Sequence, residues 1–302
     1  MLLLSIFTNN ILPVLLLSGA GFILGKMLDL DARPLGRVVF YILNPALFFT
    51  LLTSTKLPAD QIALMVGFAT TTSLVSAGLA YLFGKLFRLE RKVLIIIVLT
   101  SMCVNAGNFG LPLVSFAFGQ EALAYASIFF VTNMLMLNTL GVIIASLGHL
   151  NLKGALLGLL KVPSIYAILL AILFLSTGWA LPEPIGRTLS LAAGGAIPGM
   201  LILLGLELRK IEWSRNIQAM GIPVVMRLVI GPIIGLGMAA IFGLQNHARQ
   251  AGITEASMPP AVMTTVLATE FNLDSKLVTA TVFLSTILSS ITLTFVIYFL
   301  RK

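Results

Sequence analysis

The most informative shortage in this sequence is a shortage of charge. Aspartate, glutamate, lysine and arginine together make up 10% of the 302 residues, whereas about 25% is typical of soluble domains. Hydrophobic residues make up 58% and come in long runs. A run of about 20 apolar residues crosses the roughly 30 Å of bilayer hydrocarbon as a helix. The composition therefore predicts an all-α polytopic membrane protein.

Residues that build metal and catalytic sites are also scarce. The chain has one cysteine, Cys103, which excludes a disulfide framework and a cysteine-based metal cluster. His149 and His247 lack partners at metal-ligand spacing, and no phosphate-binding loop or paired-acid motif occurs. We expect no enzyme activity, no metal and no cofactor. The net charge of +8 comes from cations in short loops, so nucleic acid is not an expected partner.

Ten membrane spans can be drawn, and the charges between them predict their orientation. The spans are 5–26, 34–53, 61–83, 93–118, 121–147, 155–178, 186–208, 216–242, 249–270 and 275–300. One set of alternate loops holds most of the cations: Lys26, Arg33, Arg37, Lys85, Arg88, Arg91, Lys92, Lys153, Lys161, Arg209, Lys210, Arg215 and Lys276. Because cytoplasmic loops are rich in lysine and arginine, this side is expected to be cytoplasmic. Both termini then lie outside a cell inner membrane.

The chain also has the pattern of an internal repeat. Leu12-Pro13 recurs as Val162-Pro163 and Pro34-Leu35-Gly36-Arg37 as Pro184-Ile185-Gly186-Arg187, both at an offset of 150 residues. Pro45 and Pro198 are 153 residues apart, and Pro112 and Pro259 are 147 apart. We therefore expect two repeats, residues 1–150 and 151–302, with five spans each. An odd number of spans inverts the second repeat, which is typical of secondary transporters.

The fourth span is interrupted by polar and flexible residues within an apolar run. Asn105, Gly107, Asn108, Gly110 and Pro112 fall between the apolar stretches 93–102 and 113–118. Proline lacks an N–H, glycine tolerates irregular backbone, and the amides can pair with freed backbone groups or a ligand. Broken backbone at membrane depth survives only inside protein or beside an aqueous cavity. We expect a substrate-binding half-site here, against the alternative of a simple proline kink.

A matching interruption lies in the ninth span. Met258, Pro259 and Pro260 fall about ten residues from either end of this span, near the bilayer midplane. Two broken helices at corresponding positions of two repeats are the best sequence indication of a transport site. The N-terminus of each resumed half-helix carries partial positive charge, which suits an anion.

Three further polar residues lie within the spans. Asn44 precedes Pro45 in the second span, where it could face a substrate cavity or only stabilise a kink. Glu255 lies about one turn before Pro259, either as a site for a coupling proton or cation or as an exposed residue of the outer mouth. Arg227 is the only basic residue deep in a span. We expect it to pair within the scaffold or line a cavity rather than contact the ligand directly.

These motifs resemble a known family. Asn105-Ala-Gly-Asn-Phe-Gly-Leu-Pro112 is similar to the N-x-G-N-x-G-L-P signature of auxin efflux carriers, and Asn44-Pro45 and Met258-Pro259-Pro260-Ala261 fit that family too. The short loops resemble its prokaryotic branch. The resemblance implies a five-plus-five inverted fold with a scaffold domain and a transport domain, and helices four and nine that cross at their prolines. It also implies a dicarboxylate such as malate or malonate as substrate, and a homodimer.

The sequence thus predicts a secondary transporter of small organic anions that works by alternating access. The coupling ion, a proton or sodium, stays open, as do uniport and the direction of transport. One alternative is a sodium-coupled carrier of the bile-acid type, although few carboxylates lie near the breaks. A second alternative is a channel or a membrane receptor, which needs no paired broken helices.

Overall fold

The protein folds into eleven helices in the part of the chain that the structure describes. This computed structural model describes residues 2–55, 57–146, 162–179, 181–209 and 217–302. The helices are α1 Leu2–Leu28, α2 Ala32–Thr55, α3 Ala59–Leu86, α4 Arg91–Met102, α5 Ala106–Ala145, α6 Pro163–Thr177, α7 Glu183–Leu208, α8 Ala219–Ile241, α9 Asn246–Ala256, α10 Met263–Glu270 and α11 Ser275–Leu300. The described chain contains no named strand.

Several of these helices are long and apolar enough to cross a membrane. Within the described ranges seven qualify, namely α1, α2, α3, α5, α7, α8 and α11, and α6 is a shorter apolar helix. The prediction of a multi-pass, all-helical membrane protein is confirmed. The ten-span layout stays a prediction, because spans four and nine are each divided and the residues from 155 to 161, with residue 216, lie outside the described ranges. The loop cations Lys56, Lys153, Lys161, Lys210 and Arg215 also lie outside them.

The helix α5 contains a sharp bend at Gly119. It lies between the predicted fourth span, which ends at residue 118, and the predicted fifth span, which begins at residue 121. Gly119 has φ 81° and ψ −166°, a backbone conformation that is essentially restricted to glycine. It divides α5 into a short arm, residues 106–118, and a long arm, residues 120–145. A single residue therefore connects the half-helix that follows the first break to the next membrane-crossing helix.

Four of the helices contain a π-helical segment immediately before a proline. The segments Phe7–Ile11, Val39–Leu43, Ala106–Gly110 and Met226–Ile230 each end two residues before Pro13, Pro45, Pro112 and Pro232 respectively. A proline ring clashes with the carbonyl four residues earlier and removes one N–H from the ladder. The wider turn relieves this clash, so the helices continue through their prolines. A fifth segment, Leu137–Gly141, has no such proline.

The helices pack into two groups. The first group contains α1, α2, α6 and α7, whose most extensive contacts are those of α7 with α1 and of α6 and α7 with α2. The two helices approach closely because Gly205 of α7 has no side chain. A β-carbon at this position would lie only 1.9 Å from the carbonyl oxygen of Ser18 in α1. The second group contains α3, α4, α5, α8, α9, α10 and α11. The long arm of α5, α9 and α3 form its centre.

Candidate functional site

The two broken segments meet and pair through their backbones. Between α4 and α5, residues 103–105 are not helical, and between α9 and α10, residues 257–262 are not helical. Asn105 N donates to Pro259 O at 2.8 Å, and Ala261 N donates to Cys103 O at 2.9 Å. These bonds form an antiparallel bridge between Val104 and Pro260. Each break therefore satisfies part of the other's freed backbone.

The position of the first break differs from the sequence expectation. The sequence places the interruption among the residues from Asn105 to Pro112, but α4 already ends at Met102, and Gly107 and Gly110 lie in the π-helical turn. Pro112 is the second residue of the α-helical part of the short arm. Proline is tolerated in a first turn, where its missing N–H has no helical partner, so the backbone departs from a helix before the proline and not at it.

Asn133 of the long arm stabilises this break, and the sequence reasoning missed it. Its Nδ2 donates to Met102 O at 3.3 Å and to Ser73 Oγ at 3.2 Å, while its Oδ1 accepts from Val104 N at 3.2 Å. One amide side chain thus completes the hydrogen bonding on both sides of Cys103. The available signal was an amide within the apolar run 121–147.

Arg227 joins the C-terminal ends of the two helices that precede the breaks. Its side chain is buried and donates to Ser101 O at 3.0 Å, to Ala256 O at 2.6 Å, and to Met258 O at 3.0 and 2.7 Å. A cation at a helix C-terminus stabilises the partial negative charge of the last carbonyls. The guanidinium therefore holds the ends of α4 and α9 together through backbone carbonyls.

The glycines of the first motif are covered closely by other side chains. A β-carbon at Gly107 would lie 2.6 Å from the ring of Phe130. A β-carbon at Gly110 would lie 2.2 Å from Glu255 Oε2. The absence of a side chain at position 110 thus makes room for the carboxylate of Glu255.

Glu255 is buried beside the paired breaks. Its exposed fraction is 0%, and its two carboxylate oxygens have no hydrogen-bond partner among the described residues. The alternative of an exposed residue at an outer mouth therefore does not fit this arrangement. An isolated ionised carboxylate is very costly to bury, so the group needs a proton or a cation while it is enclosed.

The amides of the candidate site have different partners. Asn105 Nδ2 and Asn44 Oδ1 are buried without a hydrogen-bond partner among the described residues. Asn108 is partly exposed, and its Nδ2 donates to Glu207 Oε2 in the last turn of α7 at 3.0 Å. Met258, Pro259 and Pro260 are all buried. The first break thus presents one buried amide N–H group without a partner in the described part of the chain, at Asn105, and close to it one amide that binds a carboxylate, at Asn108, while Asn44 belongs to α2.

A separate cavity lies where several helix ends meet. It measures about 500 Å³, and its polar lining includes Gln61, Glu121, Tyr125, Gln245 and His247. His247 Nε2 lies 3.1 Å from Glu121 Oε2. None of the residues expected to bind substrate lines this cavity.

Comparison with known proteins identifies the family of this chain. The profile of the family described as "Membrane transport protein" matches residues 6–297. The chain belongs to this family of membrane transport proteins. The match spans nearly the whole chain, including both breaks and both helix groups. The resemblance to auxin efflux carriers is thereby confirmed, and the relatives described next are named as transporters or carriers.

Some relatives match most of the chain, and another matches a shorter part of it. An uncharacterized transporter of Methanothermobacter thermautotrophicus is 30% identical over 95% of this chain and 96% of its own length. A protein of Rhizobium meliloti is 24% identical over 98% of this chain and 96% of its own length, and is named, provisionally, a malonate transporter. Auxin efflux carrier component 8 of Arabidopsis thaliana is 27% identical over 38% of this chain and 33% of its own length.

Proposed function

We propose that this member of the membrane transport family is a secondary transporter of small organic anions, with its binding site at the paired breaks. The observation that carries the proposal is the reciprocal bonding of Asn105 to Pro259 and of Ala261 to Cys103. Two interrupted helices that meet within the membrane are the arrangement in which transporters bind substrate. Their crossing would make one site from both halves of the chain.

In this proposal the two helix groups are the two domains that move relative to each other. The group of α1, α2, α6 and α7 corresponds to a scaffold domain, and the group that contains the breaks to a transport domain. Each draws helices from residues 1–150 and from residues 151–302, as expected for a five-plus-five inverted repeat. Movement of the second group against the first would expose the site to each side in turn.

The site chemistry favours a carboxylate as substrate. The short arm of α5 and helix α10 begin at the breaks, and a helix N-terminus favours an anion. Asn105 and Asn108 supply amide N–H donors, and Asn44 could orient a second polar group of the ligand. Arg227 already binds three backbone carbonyls, so its role is to position the breaks. The name of the Rhizobium meliloti relative supports a dicarboxylate such as malonate.

Glu255 is the candidate coupling group. The carboxylate lies over Gly110 inside the site region and has no hydrogen-bond partner among the described residues. It would release a proton, or a sodium ion, when the site opens to water, and bind one again before it is enclosed. Glu255→Gln should therefore abolish accumulation driven by an ion gradient while exchange of labelled substrate continues. Loss of both activities to the same degree would contradict a coupling role.

The membrane setting follows from the charge distribution. Because alternate loops are rich in cations, we expect those loops in the cytoplasm and both termini outside a cell inner membrane. Partners in this proposal are the lipid bilayer, the organic anion and the coupling ion, with a homodimer as the assembly implied by the family resemblance. Labelling of single cysteines introduced at residues 30 and 301 in intact cells tests the orientation, in a Cys103→Ser background.

The decisive experiment is a transport screen in proteoliposomes. Purified protein is reconstituted and offered labelled mono- and dicarboxylates, malonate among them, with and without a pH gradient and with and without sodium. We expect saturable uptake of one carboxylate class and counterflow of the labelled substrate. No carboxylate uptake under any gradient would contradict the proposal.

The screen also separates the alternative functions. Strict dependence on sodium would favour a carrier of the bile-acid type. Flux without counterflow would favour a channel, because exchange of labelled substrate requires a carrier. No flux at all, with ligand binding retained, would favour a membrane receptor.

A variant tests the position of the site. Asn108→Ala removes the exposed amide donor of the first break and should abolish transport while the protein stays folded. Asn138→Ala is the matched control, because among the described residues Asn138 donates only to Met134 O of its own helix. Full activity of Asn108→Ala would overturn the assignment of the site to the breaks.

A further inference from the structure

A hydrogen bond between two side chains links the two helix groups at the candidate site. Asn108 belongs to the short arm of α5, in the second group, and Glu207 belongs to the last turn of α7, in the first. Asn108 Nδ2 donates to Glu207 Oε2 at 3.0 Å. The contact therefore joins the proposed transport domain to the proposed scaffold domain.

The chemistry of this contact is the chemistry expected of the substrate. A carboxylate that accepts from an amide N–H forms a charge-assisted hydrogen bond. An organic anion at the first break would use the same donor in the same way. The NH2 group of Asn108 carries two N–H donors, but a second carboxylate bound to the same nitrogen would lie close to the carboxylate of Glu207, and two negative charges so close together repel each other. Glu207 and a substrate carboxylate consequently compete for Asn108.

We propose that Glu207 is an internal substitute for the substrate carboxylate, which occupies Asn108 while the carrier is empty and is displaced when substrate binds. This inference rests on the proposed function and adds a regulatory residue to the same site. Occupation by Glu207 lowers the apparent affinity for the anion, because only the fraction of molecules with a free Asn108 can bind it. Displacement also breaks this hydrogen bond between the two helix groups, which makes their relative movement easier, while the bond from Arg301 to Asn10 Oδ1 remains.

The inference has a kinetic consequence that distinguishes it from a structural role. During exchange the site stays loaded at every turnover, so Glu207 stays displaced. Net transport requires the empty carrier to return, and in that state Glu207 holds the two groups together. In the native protein the rate of substrate exchange should therefore be higher than the rate of net uptake. Loss of the Glu207 charge should bring the two rates closer together.

The transport test uses labelled malonate as the probe in proteoliposomes, with net uptake and exchange measured side by side. Glu207→Gln keeps the shape but removes the charge, and Glu207→Asp keeps the charge but shortens its reach. In both variants we expect the Michaelis constant for malonate to fall by roughly tenfold, and the ratio of exchange to net uptake to fall towards one. Glu183→Gln is the control, because Glu183 lies on the same helix, is 75% exposed and pairs only with Arg187 among the contacts described.

A second experiment tests the contact between Asn108 and Glu207 without measuring transport. Spin labels at Met27→Cys in α1 and Leu86→Cys in α3, both 74% exposed, report the separation of the two groups in a Cys103→Ser background. Malonate should shift the distance distribution of the native protein. Glu207→Gln should show the shifted distribution without malonate.

The outcomes separate this inference from the proposed function. Identical affinity, flux ratio and spin-label distances in Glu207→Gln and Glu183→Gln would overturn the inference. A different result is possible in which malonate neither binds to the native protein nor is transported by it, while Glu207→Gln still changes the spin-label distances. That result would support the bond between the two groups and would show that the substrate class of the proposed function is wrong.

Discussion

The carboxylate of Glu255 lies against the α-carbon of Gly110, so that a β-carbon at position 110 would come within 2.2 Å of Oε2. The two residues belong to different breaks, one to the π-helical turn after α4 and the other to the end of α9. Their contact makes the free volume at one break depend on a side chain of the other.

Gly110→Ala should therefore destabilise the protein by about 1–3 kcal/mol through overpacking. The effect should depend on Glu255, so the double variant Gly110→Ala/Glu255→Ala should lose less stability than the two single effects predict together. Thermal unfolding of the purified protein in detergent measures each value. Gly78→Ala in α3 is the control, because its β-carbon would meet nothing within 4 Å. Additive effects would show that the two residues do not share this space.

Gly119→Ala should be destabilising although its β-carbon would meet no atom within 4 Å. The cause is the backbone, since φ 81° with ψ −166° costs a residue with a side chain of the order of 1–3 kcal/mol. Gly186→Ala, at an equally open helical position of α7, should instead be neutral or slightly stabilising. Unfolding midpoints of the two variants test this difference, and equal midpoints would contradict the strain argument.

Arg227→Met should sharply reduce the yield of folded protein. It leaves the carbonyls of Ser101, Ala256 and Met258 without their donors, and each unsatisfied buried group costs about 1–3 kcal/mol. Arg227→Lys keeps the charge but not the planar donor group, so it should recover only part of the loss. Size-exclusion chromatography of detergent extracts gives the folded yield. Arg187→Met should change nothing measurable, because that side chain is 80% exposed.

Asn133→Ala should lower the free energy of unfolding by about 1–3 kcal/mol, because Met102 O and Val104 N at the first break lose their side-chain partner. Amide hydrogen exchange of residues 102–105 should accelerate in this variant. Asn138→Ala, five residues further along the same helix, should leave that exchange unchanged. Equal exchange in both variants would mean that another group supports the break.

The sequence predicted the features that follow from local chemistry. Long apolar runs indicated the helical membrane protein, and Pro259 indicated where one helix is interrupted, whereas the other interruption lies several residues before Pro112. The octapeptide 105–112 was enough to indicate the family. These features depend on the properties of neighbouring residues in the chain, which a single sequence displays directly.

The remaining features depend on contacts between distant parts of the chain. Glu207 was not among the residues expected at the site, yet its carboxylate accepts a hydrogen bond from Asn108, 99 residues away. Arg227 was expected to pair within the scaffold or line a cavity, and its partners could not be named, because they are backbone carbonyls that become available only where two helices end together. The true end of α4 at Met102 also depends on a partner, because Cys103 and Asn105 are held by bonds to the other break.

The π-helical segments before Pro13, Pro45, Pro112 and Pro232 have an effect beyond the relief of a steric clash. Each proline removes one hydrogen-bond donor, so each segment leaves at least one carbonyl oxygen without a donor of its own in its helix. These oxygens lie in helices of both groups, at four separate places along apolar segments. Oxygens of this kind are ligands for water and for hard cations. The prolines thus place backbone oxygens that can accept hydrogen bonds from water inside apolar segments, with no need for a charged side chain there.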